Sequence, residues 1–502
     1  MKRKTAAIFV LALAFAFLAS CGGAEKSDAP EGKNGANETS SPGPQETQPE
    51  FVPAEGVGYG GSKFTILGYD GEAKGTWQIA AISEIMAEQD TGEPINDAVY
   101  RRNREVEALY DIEFDIVPVT YPNRGDFAAK FTRAVLAGDD LFDAAFLLGD
   151  SLPAALSKKN MAVDLFAVPS LDLSKSWWDQ NSVKAMSIGG RLSAAIGDVN
   201  LYSAIAPMVV FANKKLMQEY SVGDLYQVVR EGKWTWDMMY DIMKQVTKDL
   251  NGDGTIDKDD QIGLFSQYIY LQTAVTSAGE YMTPKNDRDI PELDPNVERI
   301  AGIVGKVGPI IKDKSVAIMA EDITAGYNNV FFDFIMPKFR DNEVMFHTNQ
   351  LLFSFELRSM DANFAILPLP KYDEAQKNYG AMIANAWATY TVIPVTCSDV
   401  ERTGNVLSAM GYYSQKYITP AYYEVTVTNK LIRDEDSIEM MEIILKNRVL
   451  DLSYLYNWGE ISGLFGGIST SGKAETFVSQ LEKAEPKIKA AIQKTLDELE
   501  AG

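Results

Sequence analysis

The chain has 502 residues, of which 46% are hydrophobic and 23% are charged, and its formal net charge is -23 at pH 7. This acidic balance argues against nucleic acid and anionic lipid headgroups as partners, and it favours a neutral or cationic ligand. His347 is the only histidine, which excludes a zinc site built from several histidines. Any Ser-His-Asp triad would depend on that residue, and no G-x-S-x-G motif accompanies it.

The N-terminal segment, residues 1–20, is predicted to be a secretion signal. A basic start at Lys2–Lys4 is followed by the unbroken apolar run Ala6–Ala19, which is short for a membrane span. The run ends at Leu18-Ala19-Ser20-Cys21, which resembles the lipobox of bacterial lipoproteins. Cys21 is therefore the predicted lipidation site, and an ordinary secretory signal that contains a cysteine is the alternative.

Residues 21–59 are predicted to be a disordered tether behind the lipidated cysteine. Gly22–Glu50 contains no Val, Ile, Leu, Met or aromatic residue, so this stretch cannot bury enough apolar surface to offset the cost of ordering the chain. A lipid anchor and such a tether would hold a globular body at the extracellular face of the cell membrane. The one other cysteine, Cys397, follows an apolar stretch and is predicted to pack as a small apolar residue; a reactive thiol is the alternative.

The first part of the body alternates predicted strands with helices. Helices are predicted from Pro94 and over Asp126–Ala137, and a short one over Leu152–Lys158. The strands are Lys63–Tyr69, Ile112–Val119 and Phe142–Leu148. This βαβαβ order predicts a parallel sheet flanked by helices, which makes the fold class α/β.

Two carboxylates follow strands of this predicted sheet. Ligands of parallel sheets bind at the carboxyl ends of the strands. Asp70 and Asp150 stand at such ends, where a carboxylate can accept hydrogen bonds from ligand hydroxyls. Helix capping or turn formation is the alternative role for both.

The rest of the body continues the mixture of strands and helices. Strand-like pieces lie within Arg191–Ala206, and further strands are predicted at Met208–Phe211, Ile262–Ser266, Phe364–Leu367 and Tyr390–Val395. Predicted helices cover Lys214–Tyr220, Trp236–Lys248, 295–312, Glu401–Tyr417 and, in amphipathic form, Lys473–Glu500.

The segment Asp249–Asp260 matches the twelve-residue calcium loop. Oxygen ligands stand at the expected positions and Gly254 stands at the sharp turn, whereas position twelve holds Asp in place of the usual Glu. The predicted ligands of this structural Ca²⁺ are Asp249, Asn251, Asp253, Thr255, Asp257 and Asp260. A solvated Asp/Asn/Gly turn without an ion is the alternative.

Aromatic residues are the other candidate ligand groups, since the flat C–H faces of sugars pack on aromatic rings. The candidates are Trp77, Trp177, Trp178, Tyr202, Tyr268, Tyr270, Trp387 and Trp458. Tyr268, after a strand, Trp458, near the terminal helices, and Trp387, before a strand, are the preferred ones, and core packing is the alternative for each.

Several stretches in order resemble the extracellular solute-binding proteins of carbohydrate ABC importers, a group similar to maltose-binding proteins. These stretches are Asn96–Asn103 with Glu105–Tyr110, Leu173–Gln180 with Gly189–Leu192, Phe211–Leu216, Gly232–Asp237, and Pro420–Tyr423 with Arg433-Asp434. The resemblance implies a two-lobe periplasmic-binding-protein-like fold that closes on its ligand by a hinge. Lobe one would be 60–206 plus 363–428, and lobe two 207–362 plus 429–502.

The function implied by the resemblance is capture of an oligosaccharide by a monomeric binding protein that passes it to an ABC permease, without catalysis. A surface-anchored glycoside hydrolase is one alternative, because abundant acidic residues leave room for a catalytic carboxylate pair. A calcium-stiffened adhesin is another. The sequence does not identify the sugar, and it leaves a peptide or another neutral solute open.

Overall fold

The computed structural model describes residues 51–72, 77–121, 123–357, 364–422 and 435–500. The predicted signal, Cys21 and most of the predicted tether lie outside the described residues, as do Tyr423, Arg433 and Asp434. Among the residues described, no helix combines the length and the apolar character that crossing a bilayer requires.

The described residues form three sheets surrounded by helices. The strands are β1 (Ser62–Tyr69), β2 (Ile112–Val119), β3 (Ala144–Leu148), β4 (Met208–Asn213), β5 (Ile262–Ser266), β6 (Ala317–Met319), β7 (Val344–Gln350), β8 (Phe364–Leu367), β9 (Ala381–Met382), β10 (Thr389–Val392) and β11 (Arg448–Val449). The α-helices are Pro94–Tyr110, Asp126–Ala137, Leu152–Ala155, Gln180–Met186, Leu201–Ile205, Lys214–Glu219, Leu225–Arg230, Trp236–Val246, Tyr270–Ser277, Val297–Lys312, Ala320–Ile323, Met336–Arg340, Phe353–Leu357, Val400–Tyr413, Glu435–Lys446, Leu452–Tyr456, Ile461–Ser471 and Phe477–Glu500. Two π-helical turns cover Phe331–Ile335 and Ser414–Ile418.

The first sheet has the strand order β10-β3-β1-β2. β1 runs parallel to β2 and to β3, and β10 is antiparallel to β3. The predicted βαβαβ order is therefore confirmed. The helix Pro94–Tyr110 starts as its sequence predicts, because the Glu93 carboxylate accepts a hydrogen bond from Asn96 N and Pro94 occupies the first turn. Its apolar side chains Ile95, Val99 and Val106 are fully buried.

The second sheet has the order β6-β5-β7-β4-β8. β5 is parallel to β6 and β7, whereas β4 is antiparallel to β7 and β8. The lobe boundary expected at residue 363 places β8 in lobe one. That boundary is wrong for this strand, because β8 pairs with β4 through Phe211 and Ile366 and so belongs to the second sheet. The other lobe limits stay predictions.

β7 was not predicted from the sequence, because its second half is polar. The strand is nevertheless buried, and His347 and Thr348 have no exposed surface. Within Arg191–Ala206, where strand-like pieces were expected, Leu201–Ile205 forms a short helix instead. The helix begins after Asn200, whose carbonyl accepts a hydrogen bond from Ser203 N over 3.1 Å.

Two chain segments cross between the sheets and contact each other. Ala384 N donates to the carbonyl of Ala206 over 3.1 Å, and Pro207 forms a bridge with Ile383. The first segment leads into β4 and the second leads towards β10. A pair of neighbouring crossing segments is the arrangement that lets two lobes move about a hinge.

The C-terminal part is mainly helical, and it includes a helix, Phe477–Glu500, within the predicted stretch Lys473–Glu500. The helices Ile461–Ser471 and Phe477–Glu500 pack against Val297–Lys312, and Glu435–Lys446 packs against β8, so all of them lie beside the second sheet. Cys397 is buried with its sulfur 3.2 Å from the Thr403 hydroxyl, which agrees with the predicted packing role.

Candidate ligand-binding cleft

Trp387 lies between the second crossing segment and β10, and it is flanked by two parallel aromatic rings. The Tyr121 ring stacks on the indole with centroids 5.4 Å apart, and the Tyr202 ring lies parallel to it at 6.1 Å. Tyr121 follows β2, and Tyr202 belongs to the helix before the first crossing. The preferred candidate Trp387 is therefore at the edge of the first sheet where the parallel strands end.

The two predicted carboxylates lie at the same edge. Asp150, after β3, forms an ion pair with Arg124 at 2.6 Å, and the Arg124 guanidinium lies 5.9 Å from the centre of the Trp387 ring. Asp70, after β1, accepts a hydrogen bond from the Thr120 hydroxyl and another from Glu72 N at 3.0 Å. The hydrogen bond from Glu72 N shows that the Asp70 carboxylate also stabilises the turn that follows β1.

Partial desolvation raises the pKa of the Asp150 carboxyl, and the positive charge of Arg124 opposes that shift. Arg124 also donates to the carbonyl of Ala386, the residue before Trp387. One guanidinium thus connects the predicted carboxylate to the predicted aromatic residue. Arg124 and Tyr121 were missed from the sequence, although both follow the end of β2, the same position relative to a strand that identified Asp70 and Asp150.

Aromatic residues that follow strands of the second sheet complete the site. Trp77 lies 6.0 Å from Trp387, 5.0 Å from Phe332 and 6.3 Å from Phe353, measured between ring centroids. Gln78 N, beside Trp77, donates to the Glu356 carboxylate over 2.6 Å. The site therefore joins the two halves of the fold. We call this group, Trp77, Tyr121, Tyr202, Phe332, Phe353 and Trp387, the cleft cluster.

A buried carboxylate supports the cleft cluster from behind. Glu84 is fully buried and accepts hydrogen bonds from Tyr202 N and from the Thr389 hydroxyl, both at 3.1 Å. These two residues belong to the helix before the first crossing and to the start of β10. Burial raises the pKa of Glu84 to about 7, although its hydrogen bonds and the nearby Arg102 oppose the shift.

Tyr268 lies apart from the cleft cluster, in a cavity of about 340 Å³ on the second half. Its hydroxyl donates to the Asp322 carboxylate at 2.8 Å and accepts from Lys312 Nζ at 2.6 Å. Burial, together with that carboxylate, raises the pKa of the phenol. Tyr268 is therefore held by charged neighbours in a separate depression, and the structure does not bring it together with Trp387.

Trp458 is also separate from the cleft cluster. Its ring stacks on Tyr456 at 5.0 Å, and its indole N–H donates to the Thr495 hydroxyl over 2.9 Å. The next residue, Gly459, has a φ of 61° and lies so close to Ile488 that a Cβ there would come within 2.6 Å of backbone. Trp458 thus packs the terminal helices together.

His347 lies inside the second sheet. Its Nδ1 is 3.2 Å from the Phe265 carbonyl and its Nε2 is 3.0 Å from the Asn349 amide. The ring packs edge-on against Phe353, 4.6 Å away. Complete burial lowers the pKa of the imidazole to about 3, so the side chain is neutral. A neutral histidine whose two nitrogens both have partners is poorly placed to act as a general base.

The predicted calcium loop folds around its own carboxylates. Asp249 accepts hydrogen bonds from the amides of Gly252 and Gly254, and Asp260 accepts from those of Leu250 and Asp257. Burial disfavours the charged form of Asp260, but these amide donors outweigh it and lower the pKa of its carboxyl. Among the described residues, no three His, Cys, Asp or Glu side chains are gathered as a metal site. The donor set itself, carboxylate, amide and carbonyl oxygens, is the kind that Ca²⁺ takes.

No family model matches this sequence, and no curated protein matches it. Many solved structures share its fold. An ABC substrate-binding protein from Listeria monocytogenes in complex with cycloalternan has a TM-score of 0.53 at 13% identity, covering 87% of this chain and 99% of that chain. The protein has the two-lobe fold of solute-binding proteins of ABC importers.

Two further solved structures have the same fold. UgpB from Mycobacterium tuberculosis in complex with glycerophosphocholine has a TM-score of 0.52 at 15% identity, covering 88% of this chain and 99% of that chain. The cyclic alpha-maltosyl-1,6-maltose binding protein from Arthrobacter globiformis has a TM-score of 0.51 at 13% identity, covering 88% and 100%. The predicted α/β two-lobe fold class is therefore confirmed, and the likeness to maltose-binding proteins extends over most of the chain.

Proposed function

We propose that this protein is the extracellular substrate-binding component of an ABC importer and that it captures an oligosaccharide between its two lobes. The observation that carries the proposal is the Trp387 site, where aromatic rings from both halves of the fold stand beside the Arg124–Asp150 ion pair. Aromatic rings pack on the C–H faces of a sugar, and a fixed cation and carboxylate bind its hydroxyls. Two of the three structural neighbours are described with cyclic oligosaccharide ligands.

Closure of the lobes follows from the position of the site. Trp77 touches Trp387 on one side and Phe332 and Phe353 on the other, and the bond from Gln78 N to Glu356 adds a polar contact between the halves. A ligand that contacts both walls stabilises the closed form relative to the open one, because those contacts exist only when the halves meet. The closed form is what a permease would recognise.

Binding without catalysis is part of the proposal. His347 is neutral and enclosed, and the two cleft carboxylates each have a structural partner, Arg124 for Asp150 and Thr120 for Asp70. A barrel of eight βα units was the architecture considered for a hydrolase. The described strands instead form sheets of four, five and two strands.

The anchoring proposal rests on the sequence. Lipidation of Cys21 and a flexible segment behind it would place a monomeric binding protein at the extracellular face of the cell membrane, next to its permease. Radiolabelled palmitate incorporated into the wild-type protein, and lost in Cys21→Ser, is the expected result. Equal labelling of both proteins would contradict the anchor.

We also propose that the Asp249–Asp260 loop binds one structural Ca²⁺. The support is its spacing and its oxygen donors, with Asp249 and Asp260 already holding the two ends of the loop. We expect calcium to raise the melting temperature of the wild-type protein, and Asp249→Asn to abolish that rise. Magnesium serves as the control ion, since it demands a smaller octahedral site. Identical melting curves with calcium and with a chelator would exclude the ion.

The main proposal is tested by calorimetry of the mature body against a panel of neutral oligosaccharides. We expect one class to bind, with the sugar recovered intact after incubation. Trp387→Leu should weaken that binding, and Trp458→Leu is the matched control at the other candidate tryptophan. Recovery of cleaved sugar would favour a hydrolase. Binding that is unchanged by Trp387→Leu would show that the cleft cluster is not the site.

A further inference from the structure

A cavity of about 830 Å³ lies between the two halves of the fold. One wall is the helix Gln180–Met186, which is tied to the first-sheet side because Asp179 N donates to the Ile196 carbonyl. The opposite wall is the segment 277–285, which follows β5 and the helix after it. Residues 446–452 add to the lining, together with Arg299 and residues from the segment 376–380. None of the cleft cluster residues lines this cavity, so it is distinct from the site at Trp387.

Three residues of the lining carry buried polar atoms without partners among the described residues. The hydroxyls of Ser277 and Thr283 and the Nε of Arg448 have no hydrogen-bond partner among the described residues. Ser277 and Thr283 are each only 4% exposed, and both line the cavity. Leaving a buried polar group unpaired costs about 1–3 kcal/mol, so a ligand that pairs with these atoms would recover that free energy.

The lining is basic although the chain as a whole is strongly acidic. The basic lining residues are Lys184, Lys285, Arg299, Lys377, Lys446 and Arg448, and the acidic ones are Glu280 and Asp451. Lys285, Arg299 and Arg448 already form ion pairs, with Asp289, Glu280 and Asp179.

Three cations of the lining remain available to a ligand. Lys184, Lys377 and Lys446 form no ion pair within the described part of the chain. The Asp451 carboxylate caps the start of its own helix, where it accepts a hydrogen bond from Ser453 N at 2.8 Å. It accepts another from the Thr276 hydroxyl at 3.3 Å. The free charge that faces this cavity is therefore positive.

We propose that this cavity is a second binding site, for a small hydroxylated solute that carries an oxyanion. Lys184, Lys377 and Lys446 would bind a carboxylate or a phosphate, and the hydroxyls of Ser277 and Thr283 would pair with hydroxyls of the ligand. Tyr281 in the lining offers a ring face. A sugar acid and a sugar phosphate share this chemistry. The volume falls within the range of small-molecule sites.

The test is calorimetry of the complete mature protein with three probes: digalacturonate, inorganic phosphate and the neutral disaccharide galactobiose. We expect digalacturonate to bind and galactobiose not to bind in this cavity. The dissociation constant for digalacturonate should rise at least about tenfold in the double variant Lys184→Gln/Lys446→Gln and in Thr283→Val, which keeps the side-chain shape. Lys483→Gln removes the same charge from an exposed position outside the cavity and should change it less than about twofold.

The probes also separate the two sources of the oxyanion. If phosphate binds as tightly as digalacturonate and both are lost in the variants, the ligand is a phosphate compound, and the site stands. Binding in Trp387→Leu should be unchanged; its loss there would place digalacturonate in the cleft and overturn the proposal. The proposal would also be overturned if neither anion bound at about 10 mM, or if binding survived in both cavity variants.

Discussion

Trp387 and Trp458 are two tryptophans of similar exposure, 6% and 3%, with different surroundings. Both stack on a tyrosine. The Trp458 indole N–H is bonded to Thr495, and the ring closes a junction of terminal helices. Trp387 lies instead among rings from both halves of the fold, beside an ion pair. Burial alone therefore does not separate a packing tryptophan from a binding one; the partners around the ring do.

The largest effect expected from this contrast is on stability at Trp458. Trp458→Ala should lower the free energy of unfolding by roughly 3–5 kcal/mol, since it leaves a cavity and an unpaired Thr495 hydroxyl. Chemical denaturation measures the loss. Affinity for the oligosaccharide should be unchanged under conditions where the variant is folded. A variant as stable as the wild type would show that the terminal helices do not depend on this ring.

The second effect concerns the buried Glu84 behind Tyr202. Its pKa is raised to about 7 in the folded protein, against the ordinary value of 4.5, so the folded state keeps the proton where the unfolded state releases it. The stability that Glu84 contributes is fully present below pH 4.5, the pKa of the unfolded state. It is lost as the pH rises through about 7, the pKa of the folded state. Between about pH 5 and about pH 8 the loss should be roughly 2–3 kcal/mol.

Glu84→Gln should remove that part of the pH dependence, because glutamine does not titrate. The groups that face Glu84 are Arg102, which stays charged, and the phenols of Tyr69 and Tyr202, whose pKa values lie above this range. Asp198, whose pKa is raised to about 6, also lowers the stability of the folded protein as the pH rises. It is present in both the wild-type protein and Glu84→Gln, so its effect cancels in the comparison. The difference between the two denaturation series therefore isolates Glu84, and parallel pH curves would refute its assignment.

The third effect is on ligand affinity at Trp387. Trp387→Leu removes the ring that Tyr121 and Tyr202 flank, so we expect oligosaccharide binding to weaken at least about tenfold, or about 1.4 kcal/mol. Titration calorimetry with the sugar identified in the panel measures it. Trp458→Leu should leave the affinity within about twofold. If the two variants lost affinity equally, the contrast between the two tryptophans would disappear.

The sequence predicted the first sheet better than the second because its signals are local. Lys63–Tyr69 and Ile112–Val119 are bounded by helices with clear starts, and their order alone predicts parallel pairing. β7 combines an apolar half with a buried polar half, and only its pairing with β4 and β5 explains why His347 is buried there. The membership of β8 likewise depends on a partner strand more than a hundred residues away in the chain, Met208–Asn213.

The distinction between local signals and long-range contacts also holds for the candidate site. Asp70, Asp150 and Trp387 were identified because each stands beside a strand end, and the topology then brings those ends to one edge of the sheet. Phe332 and Phe353 meet Trp77 only through the approach of the two halves, which no local pattern encodes. Tyr268 follows a strand too, but that strand ends beside Asp322, away from the cleft cluster.

The smallest expected effect concerns the polar edge of the cleft. Arg124 and Asp150 retain 26% and 45% of their side-chain exposure, so solvent screens their attraction. We expect Arg124→Gln, Asp150→Asn and the double variant to change the free energy of unfolding by less than about 1 kcal/mol each, with a coupling energy near zero. Oligosaccharide affinity should fall in all three, because ligand hydroxyls would replace water at this pair. A strong coupling energy between Arg124 and Asp150, with unchanged oligosaccharide affinity, would show that the ion pair is a structural contact like the one between Trp458 and Thr495. The aromatic rings would then be the only ligand-binding groups of the cleft.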